Sequence, residues 1–387
     1  MNKYLILEPF SSHFSGAQKV TRNVAGILGA DHCKILIRQS ANNIEKHYDE
    51  FDRYYFPFER KLSLIFGKGN FDTLPMLNKL FLLFKYMFIV IMLNIYVVKI
   101  CKESKIDCIY CYDPRGLILC FMFAKLFGIS LVWHLHGELH ISRFAQKFFS
   151  LFISRTIVPS NYIKDSIDKA FNAKVIYNGF DFNQECHLKP SRSHSHTYNL
   201  IFVGAITPQK GVHLLLESML FFVDEDIDVS LKIVGDAVGN LEFKHWLIDF
   251  TKNELPNNVS VEFLGWRNDV PSLLAKADIL CFSSLSSGKV LIGDHYITFK
   301  GSEALPTVPI EAISVGTPVL ATDVAGISEI VTDGMGLILK QPVTAEDFFN
   351  ALKKMYSQYS IEKEKIELHR RKFSLKKMEY EILDFFN

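Results

Sequence analysis

The chain has 387 residues, which is too long for a single hydrophobic core and suits two domains of ordinary size. Apolar residues make up 49% of it and charged residues 22%, a composition that excludes wholesale disorder. The net charge of +1 conceals an uneven division: residues 1–180 hold 23 Lys and Arg against 14 Asp and Glu, which leaves 20 against 28 for the rest. The basic half indicates either a surface that meets anionic lipid or a chance imbalance. A compact Lys/Arg cluster with interleaved aromatic residues is missing from the sequence, so we predict no nucleic-acid partner.

Seven cysteines are scattered along the chain. Cys108 and Cys111 form an isolated Cys-x-x-Cys in an apolar run, without the second pair or nearby histidines typical of a metal site. We therefore predict buried thiols, no disulfide framework and no metal site. The segment Met1–Glu8 has the pattern of a first strand and not of a secretory signal, which predicts a cytoplasmic protein.

Strands alternate with helices along the first half of the chain. Apolar runs predict strands at residues 4–7, 35–37, 108–112, 130–135 and 156–158, and helices at 17–28 and 114–127. Strands joined by helical crossovers form parallel sheets. Residues 1–182 are therefore predicted to form a first α/β domain.

The stretch Met76–Val98 is the most apolar part of the chain. It contains Lys79, Lys85 and Asn94, which disfavour a membrane-spanning helix because a lysine near its centre costs about 3 kcal/mol. Two interpretations stay open. The stretch is either a packed helix of the first domain or an interfacial helix that leans on a membrane.

The second half repeats the same alternation after a polar linker at residues 183–198. The linker histidines 187, 194 and 196 are interpreted as solvated, in preference to a metal site. Strands are predicted at residues 200–204, 230–236, 260–265, 278–282 and 318–322, and helices at 213–222 and 270–277. Residues 199–370 are therefore predicted to form a second α/β domain, with ligands bound at the carboxyl ends of the strands.

The segment 301–323 contains the most informative pattern. Glu303 and Glu311 flank Leu305-Pro306-Thr307-Val308, which leads into a predicted helix. The free N–H groups of a first helical turn make a site for phosphate. Carboxylates are acceptors that suit the vicinal hydroxyls of a ribose or a hexose.

Taken together, this segment resembles the donor-site signature of retaining glycosyltransferases with the GT-B fold, from the large fourth family that includes many bacterial surface-polysaccharide enzymes. Further motifs occur in the family's order: 15–18, 135–137, 158–160, 177–181, 202–212, 233–236, 263–266, 277–284 and 325–331. The resemblance implies two Rossmann-like domains that face each other across a cleft. It also implies that residues 371–387 form a C-terminal helix crossing back to the first domain.

The resemblance implies three catalytic residues. His136 contacts the donor sugar near the reacting centre, Lys210 neutralises the leaving diphosphate, and Glu303 holds hydroxyls of the transferred sugar. Position alone favours a satisfied histidine at a strand end, and it is the resemblance that favours the functional role for His136. The implied donor-binding residues are Gly16, Lys210, Glu303, Leu305, Pro306, Thr307, Val308 and Glu311, of which Glu311 holds the ribose and Gly16 lets a loop approach the phosphates.

The sequence departs from the family pattern in two main places. Ala205 stands where the family commonly has an arginine that helps Lys210 hold the diphosphate, which puts donor affinity in doubt. The segment 283–302 is longer than usual and carries Lys289 and Lys300. We hypothesise that this insertion folds over the donor and replaces the missing charge.

The implied reaction is transfer of a hexosyl group from a nucleoside diphosphate sugar to a saccharide acceptor, with retention of configuration and without a cofactor or a metal. A lipid-linked acceptor in O-antigen or capsule synthesis fits best, at the inner face of the cytoplasmic membrane and with peripheral contact to anionic lipid. Two alternatives stay open. The scaffold also suits a nucleotide-sugar epimerase, and Ala205 is compatible with a catalytically weakened binding subunit.

Overall fold

The computed structural model describes residues 2–9, 16–39, 42–57, 76–182, 197–301, 303–356 and 360–387. The chain divides into two compact units. The first unit contains residues 1–179 and 376–387, and the second contains residues 180–375. Most of the predicted linker lies outside the described residues, which resume at Thr197.

The first unit is built on a seven-stranded parallel sheet with the order β3-β2-β1-β4-β5-β6-β7. Its strands are β1 (Tyr4–Glu8), β2 (Cys33–Ile37), β3 (Asp52–Tyr55), β4 (Cys108–Cys111), β5 (Ser130–His134), β6 (Arg155–Val158) and β7 (Ala173–Val175). The central strands β1 and β4 are buried along their whole length, as expected for a sheet covered by helices on both faces. The strand order reverses between β1 and β4, and such switch points open a crevice at the carboxyl ends of the strands.

Seven helices surround this sheet in the described part of the first 179 residues. They are α1 (Gly16–Leu28), α2 (Asn42–Glu45), α3 (Met76–Ser104), α4 (Pro114–Ile118), α5 (Phe121–Leu126), α6 (Arg143–Ser150) and α7 (Asn161–Ser166). The prediction of one helix over 114–127 is wrong, because α4 and α5 are separate. The chain leaves helical geometry at Cys120, where φ is −136°.

Helix α3 contains the predicted apolar stretch and is 29 residues long. Its segment Phe84–Glu103 is long and apolar enough to cross a membrane by length and composition, and 39% of the relevant window is buried inside the protein. Asn94 anchors the helix to its neighbours: its amide donates to the Ile118 carbonyl at 3.1 Å and accepts from the Met122 N–H at 3.1 Å. The C-terminal half of α3 is therefore packed against α4 and α5.

The second unit contains a six-stranded parallel sheet with the order β10-β9-β8-β11-β14-β15 and a separate antiparallel hairpin. Its strands are β8 (Thr197–Val203), β9 (Asp228–Val234), β10 (Val259–Gly265), β11 (Ile279–Phe282), β12 (Ser287–Ile292), β13 (His295–Lys300), β14 (Val319–Thr322) and β15 (Gly336–Leu339). Its helices are α8 (Val212–Met219), α9 (Leu241–Asn253), α10 (Val270–Lys276), α11 (Thr307–Ser314), α12 (Ala345–Tyr356) and α13 (Lys363–Lys372). The prediction of two Rossmann-like parallel-sheet domains is confirmed.

The β12–β13 hairpin is the long segment that the sequence singled out at 283–302. One face of the hairpin belongs to the core of the second unit, where Val290 and Ile292 are buried beside the strands and helices of the sheet. The opposite face carries exposed Lys289, Leu291 and Tyr296. The insertion is therefore an integral two-sided element of this unit.

The chain ends in helix α14 (Leu375–Phe386), which packs on the first unit. Lys174 pairs with Asp384 at 2.6 Å, and the Phe386 ring meets Tyr4 of β1 edge-on with centroids 5.2 Å apart. The last twelve residues thus complete the hydrophobic core of the unit that holds the first strand.

Candidate functional site

The first turn of helix α11 begins immediately after Pro306, whose side chain offers no capping hydrogen bond. Leu305 and Pro306 are buried, whereas Thr307 is exposed. Proline has no N–H, so neither Pro306 nor Pro309 adds a donor to this turn. The N–H groups of Thr307 and Val308 therefore supply the donors of the turn, at the positive end of the helix dipole.

Lys210 and Glu303 form an ion pair between the Lys210 Nζ and the Glu303 Oε1. Both side chains are about a quarter exposed, at 26% and 23% respectively, so a ligand in solvent reaches both. The sequence suggested different tasks for the two residues. The structure brings them into direct contact. Glu303 lies four residues before Thr307, the first residue of α11.

A tight turn fixes the position of Lys210. The lysine ends a 3-10 turn over Pro208–Lys210, and Gly211 follows with φ +68°. A Cβ atom at Gly211 would lie 1.9 Å from the Ser283 carbonyl oxygen, so only glycine fits there. The Ser283 hydroxyl in turn donates to the Lys210 carbonyl at 2.9 Å.

The base of the β12–β13 hairpin connects this turn to Glu303. The Leu285 N–H donates to the Gln209 carbonyl at 2.8 Å, and the Gly301 N–H donates to the Ser286 carbonyl at 2.8 Å. Gly301 stands close to the Leu285 carbonyl, because a Cβ atom there would lie 2.3 Å from its oxygen. The hairpin therefore holds the segment that carries Lys210 beside the segment that carries Glu303.

The remaining predicted residues of the second unit lie near these elements. Glu311 is partly buried on α11, one turn after Thr307 and on the same face of the helix. Ala205 follows β8 and is partly buried. Lys289 lies on the outer face of the hairpin, with its Nζ 4.9 Å from the centroid of the Tyr296 ring. Its proposed role as a replacement charge stays a prediction.

In the first unit, His136 follows the carboxyl end of β5. Its ring centroid lies 4.0 Å from that of His134 and 6.1 Å from that of Tyr112. Burial lowers the pKa of His136 to about 3, so the imidazole is neutral at pH 7. Its Nε2 atom is inaccessible to solvent and has no hydrogen-bond partner among the described residues. A buried nitrogen of this kind is able to accept or donate one further hydrogen bond.

Sequence reasoning missed the buried carboxylate of Glu8, which binds the hydroxyl of the same Tyr112 whose ring faces His136. Glu8 ends β1 and is fully buried, and its carboxylate accepts hydrogen bonds from Tyr112 at 2.5 Å, Gln18 at 3.3 Å and Tyr48 at 3.3 Å. Burial and the Glu8 charge raise the pKa of Tyr112, so its hydroxyl stays protonated and donates. An acidic residue at the end of an otherwise apolar strand was the available signal.

Gly16 begins helix α1 and is exposed. A Cβ atom there would meet no heavy atom within 4 Å, so packing within the described residues does not require glycine at this position. The preceding loop, 10–15, lies outside the described residues. The proposed approach of this loop to phosphates stays a prediction.

Two family models match the chain. The model for glycosyl transferases group 1 matches residues 184–372, and the model for glycosyltransferase family 4 matches residues 49–184. Together with two Rossmann-like domains of the GT-B type, these matches define the chain as a glycosyltransferase. The group 1 match covers most of the second half of the chain, and the family 4 match covers most of the first half.

Curated relatives are distant. The chain is 28% identical over 262 residues to an uncharacterized glycosyltransferase of Methanocaldococcus jannaschii, covering 64% of this chain and 65% of that protein. It is 23% identical over 282 residues to the Escherichia coli UDP-Gal:alpha-D-GlcNAc-diphosphoundecaprenol alpha-1,3-galactosyltransferase, covering 66% and 67%. The aligned part thus spans about two thirds of the length of these relatives.

Solved structures resemble the whole chain. Anabaena Alr3699/HepE in complex with UDP has a TM-score of 0.72 at 21% identity and covers 99% of both chains. The lipopolysaccharide outer core galactosyltransferase WaaB, in its apo form, also has a TM-score of 0.72, at 17% identity, and covers 100% of this chain and 98% of its own. At these identities the similarity establishes the fold alone.

Proposed function

We propose that the protein transfers a sugar from a nucleoside diphosphate sugar to a saccharide acceptor with retention of configuration. The observation that carries this proposal is the accessible Lys210–Glu303 pair, placed just before the uncapped first turn of α11. A cation, two convergent N–H groups and a carboxylate are the groups that a diphosphate and a sugar hydroxyl require.

The ion pair suggests how the donor enters the site. A diphosphate carries more negative charge than a carboxylate, so it competes with Glu303 for the Lys210 ammonium. Once displaced, Glu303 is free to accept hydrogen bonds from hydroxyls of the donor sugar. Lys210 and the N–H groups of Thr307 and Val308 then stabilise the charge that builds on the departing diphosphate. We propose that these groups perform this task without a metal ion or another cofactor.

For the acceptor, we propose a lipid-linked saccharide in surface polysaccharide synthesis. The Escherichia coli relative carries the name of an enzyme that acts on a diphosphoundecaprenol-linked sugar. The N-terminal half of α3 exposes Phe84, Met87 and Phe88, and large exposed apolar groups favour contact with lipid. We place the protein at the inner face of the cytoplasmic membrane.

Thermal unfolding with a panel of nucleoside diphosphates and nucleotide sugars tests the donor site. A ligand at 100 times its dissociation constant stabilises the folded state by about 2.7 kcal/mol. We expect one base to raise the unfolding temperature, and Lys210→Met to reduce that shift. Glu367→Gln, on an exposed face of α13, is the control. Absence of a shift with every nucleotide would overturn the proposal.

Product analysis tests the transfer itself. With the nucleotide sugar found in the first experiment and an undecaprenyl diphosphate-linked sugar as acceptor, we expect a new glycosidic bond with the anomeric configuration of the donor. An inverted product, or conversion of the donor into another nucleotide sugar without an acceptor, would contradict the proposed reaction.

A further inference from the structure

Helix α6 (Arg143–Ser150) presents two adjoining stripes to solvent. Phe144 and Phe148 lie on one stripe and continue into Leu151, with exposures of 83%, 45% and 61%. Arg143 and Lys147, each one position before a phenylalanine, lie on the neighbouring stripe, and both are exposed. An apolar stripe beside a cationic stripe is typical of helices that lie in a membrane interface.

The apolar stripe continues onto the adjacent helix. Phe148 contacts Phe121 of α5 edge-on, with ring centroids 6.4 Å apart, so the two helices share one aromatic cluster. At the end of α5, Leu126 and Phe127 are 74% and 51% exposed. The Lys125 ammonium donates to the Leu151 carbonyl, which joins the end of α5 to the end of α6. We call these five residues, Leu126, Phe127, Phe144, Phe148 and Leu151, the apolar platform.

The cationic stripe borders a cavity of about 630 Å³ between α6 and α7. Its charged lining consists of Arg143, Lys147, Lys164, Lys169, Asp165 and Asp168. The Asp168 carboxylate already accepts a hydrogen bond from the Ala170 N–H at 2.9 Å. None of the four cations forms an ion pair with any residue that the structure describes. The cavity therefore has an excess of two positive charges and is large enough for a phosphate.

We propose that the apolar platform inserts into an anionic membrane and that the cavity beside it binds the phosphate of a lipid headgroup. Complementarity favours a lipid as the occupant. The exposed apolar side chains match the acyl chains of a lipid, and the unpaired cations beside them match its phosphate. This inference rests on the proposed membrane contact but not on the proposed sugar transfer. It assigns the contact to α5 and α6, which the sequence did not single out, in addition to α3.

Flotation of the full chain with lipid vesicles tests the inference. The vesicles contain phosphatidylcholine alone or equal parts of phosphatidylcholine and phosphatidylglycerol. We expect binding to the anionic vesicles that weakens as salt rises. Each cation near an anionic surface contributes about a factor of five, so Arg143→Gln with Lys147→Gln should weaken the partition about twenty-five-fold. Phe144→Ser should weaken it about ten-fold by removing the most exposed aromatic group.

Matched variants on the second unit serve as controls. Lys252→Gln with Lys276→Gln changes the net charge equally at exposed positions, and Leu368→Ser removes an exposed apolar side chain of α13. Both should bind as the unchanged protein does. If the α6 variants keep full binding, or if the controls lose as much, the inference is wrong. If Phe88→Ser abolishes binding while the α6 variants keep it, membrane contact belongs to α3 and the assignment to α6 is overturned.

Two further measurements separate this inference from the proposed function. The α6 variants should unfold at the same temperature as the unchanged protein and keep its nucleotide-induced shift, which shows an intact donor site. Failure of the vesicle experiment with a normal nucleotide shift overturns the membrane surface alone. A normal vesicle result without any nucleotide response overturns the donor site alone.

Discussion

Lys210 and Glu303 are 93 positions apart in the sequence, yet the ammonium of one contacts the carboxylate of the other. A pair that is about a quarter exposed is stabilised only modestly, by about 1 kcal/mol or less. A ligand with a higher negative charge is therefore able to displace the Glu303 carboxylate from the Lys210 ammonium.

Glu303→Gln and Lys210→Met should change nucleotide binding in opposite directions. The glutamine variant removes the competing carboxylate, so the free nucleoside diphosphate should bind up to about five-fold more tightly. The methionine variant should bind it more weakly and lower the rate of transfer about 10²–10³-fold. Calorimetric titration and a transfer assay measure the two effects. Weaker nucleoside diphosphate binding by Glu303→Gln would contradict the proposed exchange of partners.

Gly211→Ala should destabilise the protein more than Gly239→Ala. Both glycines have a positive φ, at +68° and +76°, which costs a non-glycine residue about 1–2 kcal/mol. A Cβ at Gly211 also overlaps the Ser283 carbonyl, whereas a Cβ at Gly239 meets nothing within 4 Å. We expect losses of about 3 kcal/mol or more and about 1 kcal/mol in urea unfolding. Equal losses would show that the turn adapts to the added atom.

Lys289→Met with Lys300→Met tests whether the hairpin supplies the charge missing at Ala205. If it does, the double variant should weaken nucleoside diphosphate binding about ten-fold, and adding Ala205→Arg should restore it. Lys252→Met, at an exposed position of α9, is the control. Unchanged binding in the double variant would refute the hypothesis. The hairpin would then have only the structural role of connecting the segments of Gln209 and Gly301.

His136 should make stability depend on pH below neutrality. Burial lowers its pKa from 6.5 to about 3, so between these pH values His136 is protonated in the unfolded chain and neutral in the folded protein. The stabilisation is complete above pH 6.5 and is lost progressively as the pH falls from 6.5 towards 3. One such group contributes a slope of up to about 1.4 kcal/mol per pH unit in the free energy of unfolding. The slope from His136 should be smaller, because other atoms of this residue are partly exposed to solvent although its Nε2 is not.

Urea unfolding between pH 7 and pH 4.5 measures this slope. The partly buried His213 and the buried His369, whose pKa values are lowered to about 4 by burial, add to it in the same direction. His136→Gln should therefore reduce the slope without abolishing it. Identical slopes for the variant and the unchanged protein would show that His136 accepts a proton in the folded state.

Much of the fold followed from local pattern, because the central strands of both sheets are short apolar runs such as Cys108–Cys111 and Ile279–Phe282. The edge strand Asp52–Tyr55 was missed, since a strand with one neighbour keeps polar residues and resembles a loop. Hairpin β12–β13 was noticed for its length and its lysines and was not predicted as a hairpin. Its turn signal, Gly293-Asp294, was present in the sequence, and Gly293 has φ +56°.

The site was predictable as a set of residues and not as a set of contacts. Motif resemblance pointed to Lys210 and Glu303 separately, but their pairing depends on how the hairpin base joins distant segments. Glu8 was missed because three of its partners come from different elements: Gln18 from α1, Tyr48 from the 3-10 turn after α2, and Tyr112 from the end of β4. Only the folded sheet brings these side chains to one point.

The return of helix α14 to the first unit has a consequence for synthesis on the ribosome. The first unit is made first but lacks its last helix, and hence the Phe386 contact with Tyr4, until residues 376–387 have been translated. All residues of the second unit have been translated by position 375, so this unit is able to complete its fold earlier. The first unit is therefore able to complete its fold only after the second unit has been translated, because it depends on residues 376–387.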